Sequence, residues 1–219
     1  MMTAQMSLTI STGPDRLDLA ALRDRLAEPV EAIATIASFD DALELNDAPL
    51  VPAAVLVPIV HGARPGVLLT KRAATLTRHP GQVAFPGGRI EPGDASVEAA
   101  ALREAHEEIG LPPNQVEVFG RLPDYVTGTG FRIAPVLALL PEGLALAPSD
   151  GEVDDIFYLS LDVLLDPAAP ERRSAFYRGR SREFWVWPHP QHYIWGATAA
   201  ILVHLAHRLR SQGGRIGAA

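Results

Sequence analysis

Three glutamates lie within one short stretch of the chain, Arg103-Glu104-Ala105-His106-Glu107-Glu108-Ile109-Gly110-Leu111. On a helix that turns about 100° per residue, Glu104, Glu107 and Glu108 fall within roughly a 100° arc of one face. Leu102, Ala105 and Ile109 lie on the opposite side, suited to a core. Like charges four residues apart repel, so such a stripe costs stability unless a cation sits among the carboxylates. Carboxylate oxygens are hard ligands that suit Mg²⁺ or Mn²⁺. Arg103, four residues before Glu107, is spaced to orient that carboxylate through a charge-assisted pair. Paired glutamates are usually just a solvated helix face. Here the Gly87-Gly88 loop upstream and the Arg-Glu-x-x-Glu-Glu spacing favour a metal site.

Positive charge gathers just before this segment, at Lys71, Arg72, Arg78, His79 and Arg89. Arginine binds phosphate oxygens in bidentate fashion, and a Gly-Gly pair lets backbone approach an anion or offer a carbonyl to a metal. Each cation alone reads as ordinary loop charge. Together, Arg72, Arg78, His79 and Arg89 are the expected contacts to substrate phosphates. Asp150, Glu152, Asp154 and Asp155 form an acidic stretch, read first as a solvated turn and second as a source of an extra metal ligand or base. His204 and His207 lack a third ligand nearby in sequence, and Trp185, Trp187 and Trp195 read first as packing and second as offering one ring for stacking on an adenine.

The elements that must carry these residues are short. Asp94 or Ser96 is placed to cap an Ala-rich helix that ends at Gly110. Residues 52–60 and 66–70 read as strands, as do 115–120, 131–140, 155–160 and the aromatic-rich 175–187, with a turn at Gly128-Thr129-Gly130. Amphipathic helices are expected over 14–28 and 192–210, the latter stopped by Gly213-Gly214. This pattern predicts one α/β (α+β) domain over 1–219 with its core at about 50–205.

Composition excludes several classes. With no cysteine among 219 residues, disulfides, thiolate metal sites and Cys nucleophiles are absent. Nineteen Lys+Arg against 26 Asp+Glu give −7, a poor match to nucleic acid. The N-terminus shows no basic and then apolar leader, and the longest apolar run, Ala48 to Val60, is too short to span a bilayer. A cytoplasmic protein with no membrane association is expected.

At Arg103 to Leu111 the chain resembles the Nudix hydrolases, whose signature is Gly-x5-Glu-x7-Arg-Glu-U-x-Glu-Glu-x-Gly-U, U being aliphatic. The second half matches throughout. In the first half Gly88 sits one residue early, and Asp94 or Glu91 must stand in for the missing glutamate. Leu68 to Ala73 and Arg78 to Gly88 resemble the motif upstream of the Nudix box in coenzyme A pyrophosphatases. Leu122 to Thr127 and Tyr193 to Thr198 are similar to further segments of that branch. The resemblance implies a Nudix fold, a mixed β-sheet sandwiched between helices. It implies metal-dependent hydrolysis of the pyrophosphate of coenzyme A or its thioesters, giving 3′,5′-ADP and 4′-phosphopantetheine. Glu104 and Glu108 would be the main Mg²⁺ or Mn²⁺ ligands, Glu107 would assist, and a Gly87 or Gly88 carbonyl would complete the shell. Arg103 would orient Glu107. The partner expected is this small molecule, and a homodimer is compatible with it. The rival readings are a Nudix enzyme for ADP-ribose or NADH and a non-catalytic Nudix ligand sensor.

Overall fold

Alternation along two long apolar segments sets the layers. The structure, a computed structural model, describes residues 17–27, 49–177 and 179–210. The main sheet contains β1 (Val51–His61), β2 (Gly66–Arg72), β3 (Val83–Ala84), β4 (Gly87–Arg89), β5 (Glu117–Arg121), β6 (Tyr125–Val126), β7 (Phe131–Pro141) and β8 (Val153–Ser160). β1 and β7 pair in parallel from Val51 opposite Phe131 to His61 opposite Pro141. The remaining pairings are antiparallel, in the order β3-β2-β1-β7-β5, with β4 on β1, β6 on β7 and β8 on β2. The two central strands are apolar on both sides because both faces of the sheet are covered.

Ala54, Leu56, Val60, Val136, Ala138 and Leu140 point to one face, where helix α2 (Val97–Ile109) buries Ala100, Ala101, Ala105 and Ile109 against them. Alanine at the contact lets helix and sheet approach closely. Val57, Ile59, Leu137 and Leu139 point to the other face, covered by α1 (Leu19–Ala27) and α4 (Gly196–Arg210). The short α3 (Leu161–Leu165) follows β8. The result is a mixed sheet between helices, as the sequence predicts. Arg208, only 7% exposed, donates to the Leu26 carbonyl at 2.7 Å, so a charged side chain closes the end of α1. Among the described residues, no helix is long and apolar enough to cross a membrane.

Three sequence expectations need correction. The aromatic stretch 175–187 is not one strand but part of a hairpin, β9 (Glu171–Tyr177) and β10 (Arg180–Trp187), turning at Gly179 with φ 80°. The helix expected from 192 begins at Gly196. Ile194–Trp195 instead form β11, pairing with Val186 and Trp187, because these residues favour a pleated, half-buried partner over a helix start. Within the described residues the first helix spans Leu19–Ala27 rather than 14–28, with Asp18 accepting the Ala21 N–H at 2.8 Å. Residues 14–16 and 28 and the stop at Gly213-Gly214 lie outside the described residues.

Candidate active site

Helix α2 is fixed at both ends. The Ser96 hydroxyl accepts from the Ala99 N–H at 3.1 Å, and Gly110, at φ 66°, donates to the His106 carbonyl at 2.9 Å. Only glycine takes that left-handed conformation without cost. Ser96 is therefore the cap, which leaves Asp94 available for another partner.

That partner is Arg103. Its Nε donates to Asp94 Oδ1 at 2.9 Å and its Nη2 to Asp94 Oδ2 at 3.1 Å, a bidentate pair. Nη1 donates to Glu104 Oε1 at 3.0 Å and to Glu107 Oε2 at 3.1 Å, and Nη2 also reaches the Arg89 carbonyl at 3.2 Å. Asp94 also accepts the Glu91 N–H at 2.8 Å, tying the loop before the helix to the helix itself. The Arg103 guanidinium holds the Asp94 carboxyl below its usual range. Of the two acids that the sequence offers here, Asp94 is the one that pairs with Arg103.

Glu108 is a different kind of carboxylate. It is 8% exposed, and its Oε2 accepts the Gly87 N–H at 3.1 Å. Burial pushes its carboxyl up to about 7, against the pull of the Gly87 bond and the Arg72 charge, while Glu104 and Glu152 add repulsion. Burial also raises Glu104, although Arg103 opposes the shift. A Cβ on Gly88 would sit 2.6 Å from the Glu104 carboxyl atoms, so only glycine leaves that carboxylate its position. At Gly87, with φ 155°, a Cβ would meet the Ala54 carbonyl oxygen at 2.4 Å. The Nε of Arg72, beside Glu108, is buried with no hydrogen-bond partner.

These observations fit a divalent cation. Two partly desolvated carboxylates, repelling each other across a glycine backbone, offer hard oxygen donors with too little compensating charge. The three glutamates do not, however, form a finished ligand cluster. Among the described residues, no group of three or more His, Asp or Glu side chains is gathered for a metal. Glu107 stands apart, 54% exposed and held by Arg103; Glu104 and Glu108 face the glycine strand and Glu107 faces solvent.

The expected phosphate contacts divide. Arg72 lies beside Glu108, whereas Arg78 and His79 are exposed on the loop between β2 and β3, where the His79 Nδ1 pairs with Gln82 Oε1 at 2.9 Å. The Arg89 guanidinium carbon lies 5.8 Å from the Phe131 ring centre, and the contribution of this residue to the site is its carbonyl, which accepts from Arg103. The acidic stretch divides too. Glu152 lies near Glu108, while Asp154 accepts the Ala74 N–H at 3.1 Å and Asp155 faces His192. The bidentate Asp94–Arg103 pair was not legible, because a nine-residue separation spans the loop and the first turn and matches no helical spacing.

Residues 50–179 match the NUDIX domain family. The chain belongs to the Nudix family. Relatives include an uncharacterized Nudix hydrolase, NudL, of Citrobacter koseri (strain ATCC BAA-895 / CDC 4225-83 / SGSC4696). It is 45% identical over 154 residues, which are 70% of this chain and 80% of the relative. NudL of Enterobacter sp. (strain 638) is 44% identical over the same shares. Among solved structures, the Nudix hydrolase RenU of M. smegmatis is 27% identical with a TM-score of 0.44, over 52% of this chain and 73% of that one. A MutT/nudix family protein of Enterococcus faecalis is 17% identical with a TM-score of 0.46, over 89% and 75%. Nudix hydrolases use divalent metal ions and act on small molecules, and this Nudix chain carries its acidic segment on α2 inside the matched range.

Proposed function

We propose that this Nudix hydrolase cleaves the pyrophosphate of coenzyme A, giving 3′,5′-ADP and 4′-phosphopantetheine. The observation that carries the hydrolytic reading is the buried Glu108 carboxylate on the Gly87 N–H, with Glu104 at Gly88 and the unpartnered Nε of Arg72 alongside. Coenzyme A is favoured over other diphosphates by the likeness of Leu68 to Ala73 and Arg78 to Gly88 to the coenzyme A pyrophosphatase motif.

Glu104 and Glu108, with a carbonyl of Gly87 or Gly88, would hold Mg²⁺ or Mn²⁺. A divalent ion bound there supplies Lewis acidity, making water a better nucleophile near neutral pH and offsetting charge on phosphoryl oxygens. Arg72 binds a phosphate oxygen through its free donor. Arg103, anchored by Asp94, holds Glu107 at the solvent side, where that carboxylate orients water. Water adds to one phosphorus and gives up a proton to solvent, the bond from that phosphorus to the bridging oxygen breaks, and the bridging oxygen leaves with the other phosphate. Arg78 and His79, on their exposed loop, are left for pyrophosphate oxygens that face solvent.

The test is kcat/KM for coenzyme A, dephospho-coenzyme A, ADP-ribose and NADH under one Mn²⁺ condition. Coenzyme A is expected to lead and dephospho-coenzyme A to be clearly poorer, since a site built for a polar group discriminates strongly against its absence. If ADP-ribose or NADH leads by tenfold, the coenzyme A assignment fails. Lack of turnover on every substrate would favour a ligand sensor.

A further inference from the structure

We propose that the cleft between the β9–β10–β11 sheet and the segment 188–193 receives the purine ring of the substrate, with Tyr193 as its stacking surface and Arg173 as the cation for a phosphate on the ribose. This rests on the reading of the chain as a hydrolase of nucleoside diphosphate derivatives and names the part of the substrate that lies away from the cleaved bond.

The cleft has a volume of about 510 Å³, enough for a nucleoside. Trp187, Pro188 and Pro190 give it apolar walls, while Arg173 and Glu171 stand at its polar side. A site of this composition, mostly apolar with a few placed polar groups, suits a flat heteroaromatic ring carrying a charged substituent. Tyr193 is 50% exposed, an unusual state for a large ring in a lined cleft, and the Arg173 guanidinium carbon lies 5.8 Å from its centre. Aromatic side chains with an open face stack on nucleobases, and arginine reinforces the stack. Glu171 accepts both Arg173 Nε (3.1 Å) and Nη2 (2.8 Å) on one oxygen, Oε2, which fixes the guanidinium and leaves the second oxygen for an exocyclic amine.

The walls are rigid. His189 Nδ1 accepts the N–H groups of Gln191 and His192 at 3.2 and 3.1 Å, so an imidazole closes this turn. The His192 ring stacks on Phe157 with centres 3.8 Å apart, and its Nε2 lies 3.1 Å from Asp155 Oδ2. Trp187 Nε1 donates to the Ala199 carbonyl at 3.0 Å. A binding surface held this firmly loses little entropy when a ligand arrives.

The β2–β8 ladder relates the cleft to the acidic site, because His192 of the cleft faces Asp155 of β8. Asp155 lies opposite Lys71 in the β2–β8 ladder, and the next residue of β2, Arg72, sits beside Glu108. Strand spacings of about 5 Å across and 3.3 Å along put the two sites on the order of 10–15 Å apart, within reach of an extended purine nucleotide. The ladder slips register between Lys71 and Arg72, at the end of β2 and the start of β8.

The experiment uses the full chain with Mn²⁺ and whichever purine substrate the wild type cleaves best. Tyr193→Ala is expected to raise KM about tenfold with kcat within twofold, the loss expected for one base stack. Tyr193→Phe is expected to restore it. Arg173→Ala is expected to raise KM for coenzyme A but to change it less than twofold for dephospho-coenzyme A. Calorimetry with 3′,5′-ADP is expected to follow the same order, and 4′-phosphopantetheine is expected to bind all variants alike. KM within twofold of wild type for Tyr193→Ala on every purine substrate overturns the proposal. If the wild type prefers ADP-ribose or NADH, the coenzyme A reading fails, while a tenfold KM effect of Tyr193→Ala on that substrate still supports the purine site.

Discussion

Glu108→Gln separates the stability of the site from its function. In the metal-free protein, burial moves the Glu108 carboxyl from 4.5 to about 7. Between those values the folded chain holds a proton that the unfolded chain has released, so stability falls as pH rises through the window and is flat above it. The shift corresponds to about 3 kcal/mol at pH 8. Glutamine keeps an acceptor for the Gly87 N–H and carries no charge, but its amide N–H groups need partners, which costs about 1 kcal/mol. The net expectation is a metal-free variant more stable than wild type at pH 8 by about 2 kcal/mol, or about 4–8 °C in Tm. At pH 5 the difference should vanish or reverse. Thermal unfolding followed by circular dichroism, with EDTA, at pH 5 and pH 8 measures both. A wild type as stable as the variant at pH 8, or a difference independent of pH, would refute the claim that Glu108 is strained by burial. Turnover should fall by orders of magnitude in the same variant.

Gly88→Ala should lower kcat sharply with a Tm change of only about 1 °C, because its Cβ displaces only the flexible Glu104 carboxylate, from 2.6 Å. Gly87→Ala should instead destabilise the fold by about 3 kcal/mol or more, since its Cβ meets backbone at 2.4 Å and its φ is 155°. Asp94→Asn should reduce kcat/KM about 10- to 100-fold by releasing Arg103 from its bidentate anchor, with Tm nearly unchanged; activity within twofold of wild type would remove Asp94 from the account.

Much of this site follows from spacing, because helix geometry is local. Glu104 and Glu108 differ by one helical turn, and Gly110 and Ser96 mark ends that depend on nearby backbone alone. The central strands were visible for a similar reason: runs such as Val51–His61 leave no polar face to expose. What sequence could not supply was set by tertiary contact. The split between Glu107 and Glu108 depends on Gly87 offering its N–H to one and Arg103 reaching the other. The fate of Arg89 depends on Phe131, 42 positions away, drawing its guanidinium aside. Residues 194–195 left the predicted helix because β10 offered them a partner. Those partners come from remote segments, and no periodicity announces them.

In the proposed reaction, a divalent ion held at Glu104 and Glu108 drives cleavage of the coenzyme A pyrophosphate. Wild-type protein should be stripped with excess EDTA, assayed on coenzyme A by quantifying both products, and assayed again after Mn²⁺ is restored. No turnover is expected in EDTA, and with Mn²⁺ one 3′,5′-ADP is expected for each 4′-phosphopantetheine. Wild-type turnover that survives metal removal, or products other than this pair, would contradict it.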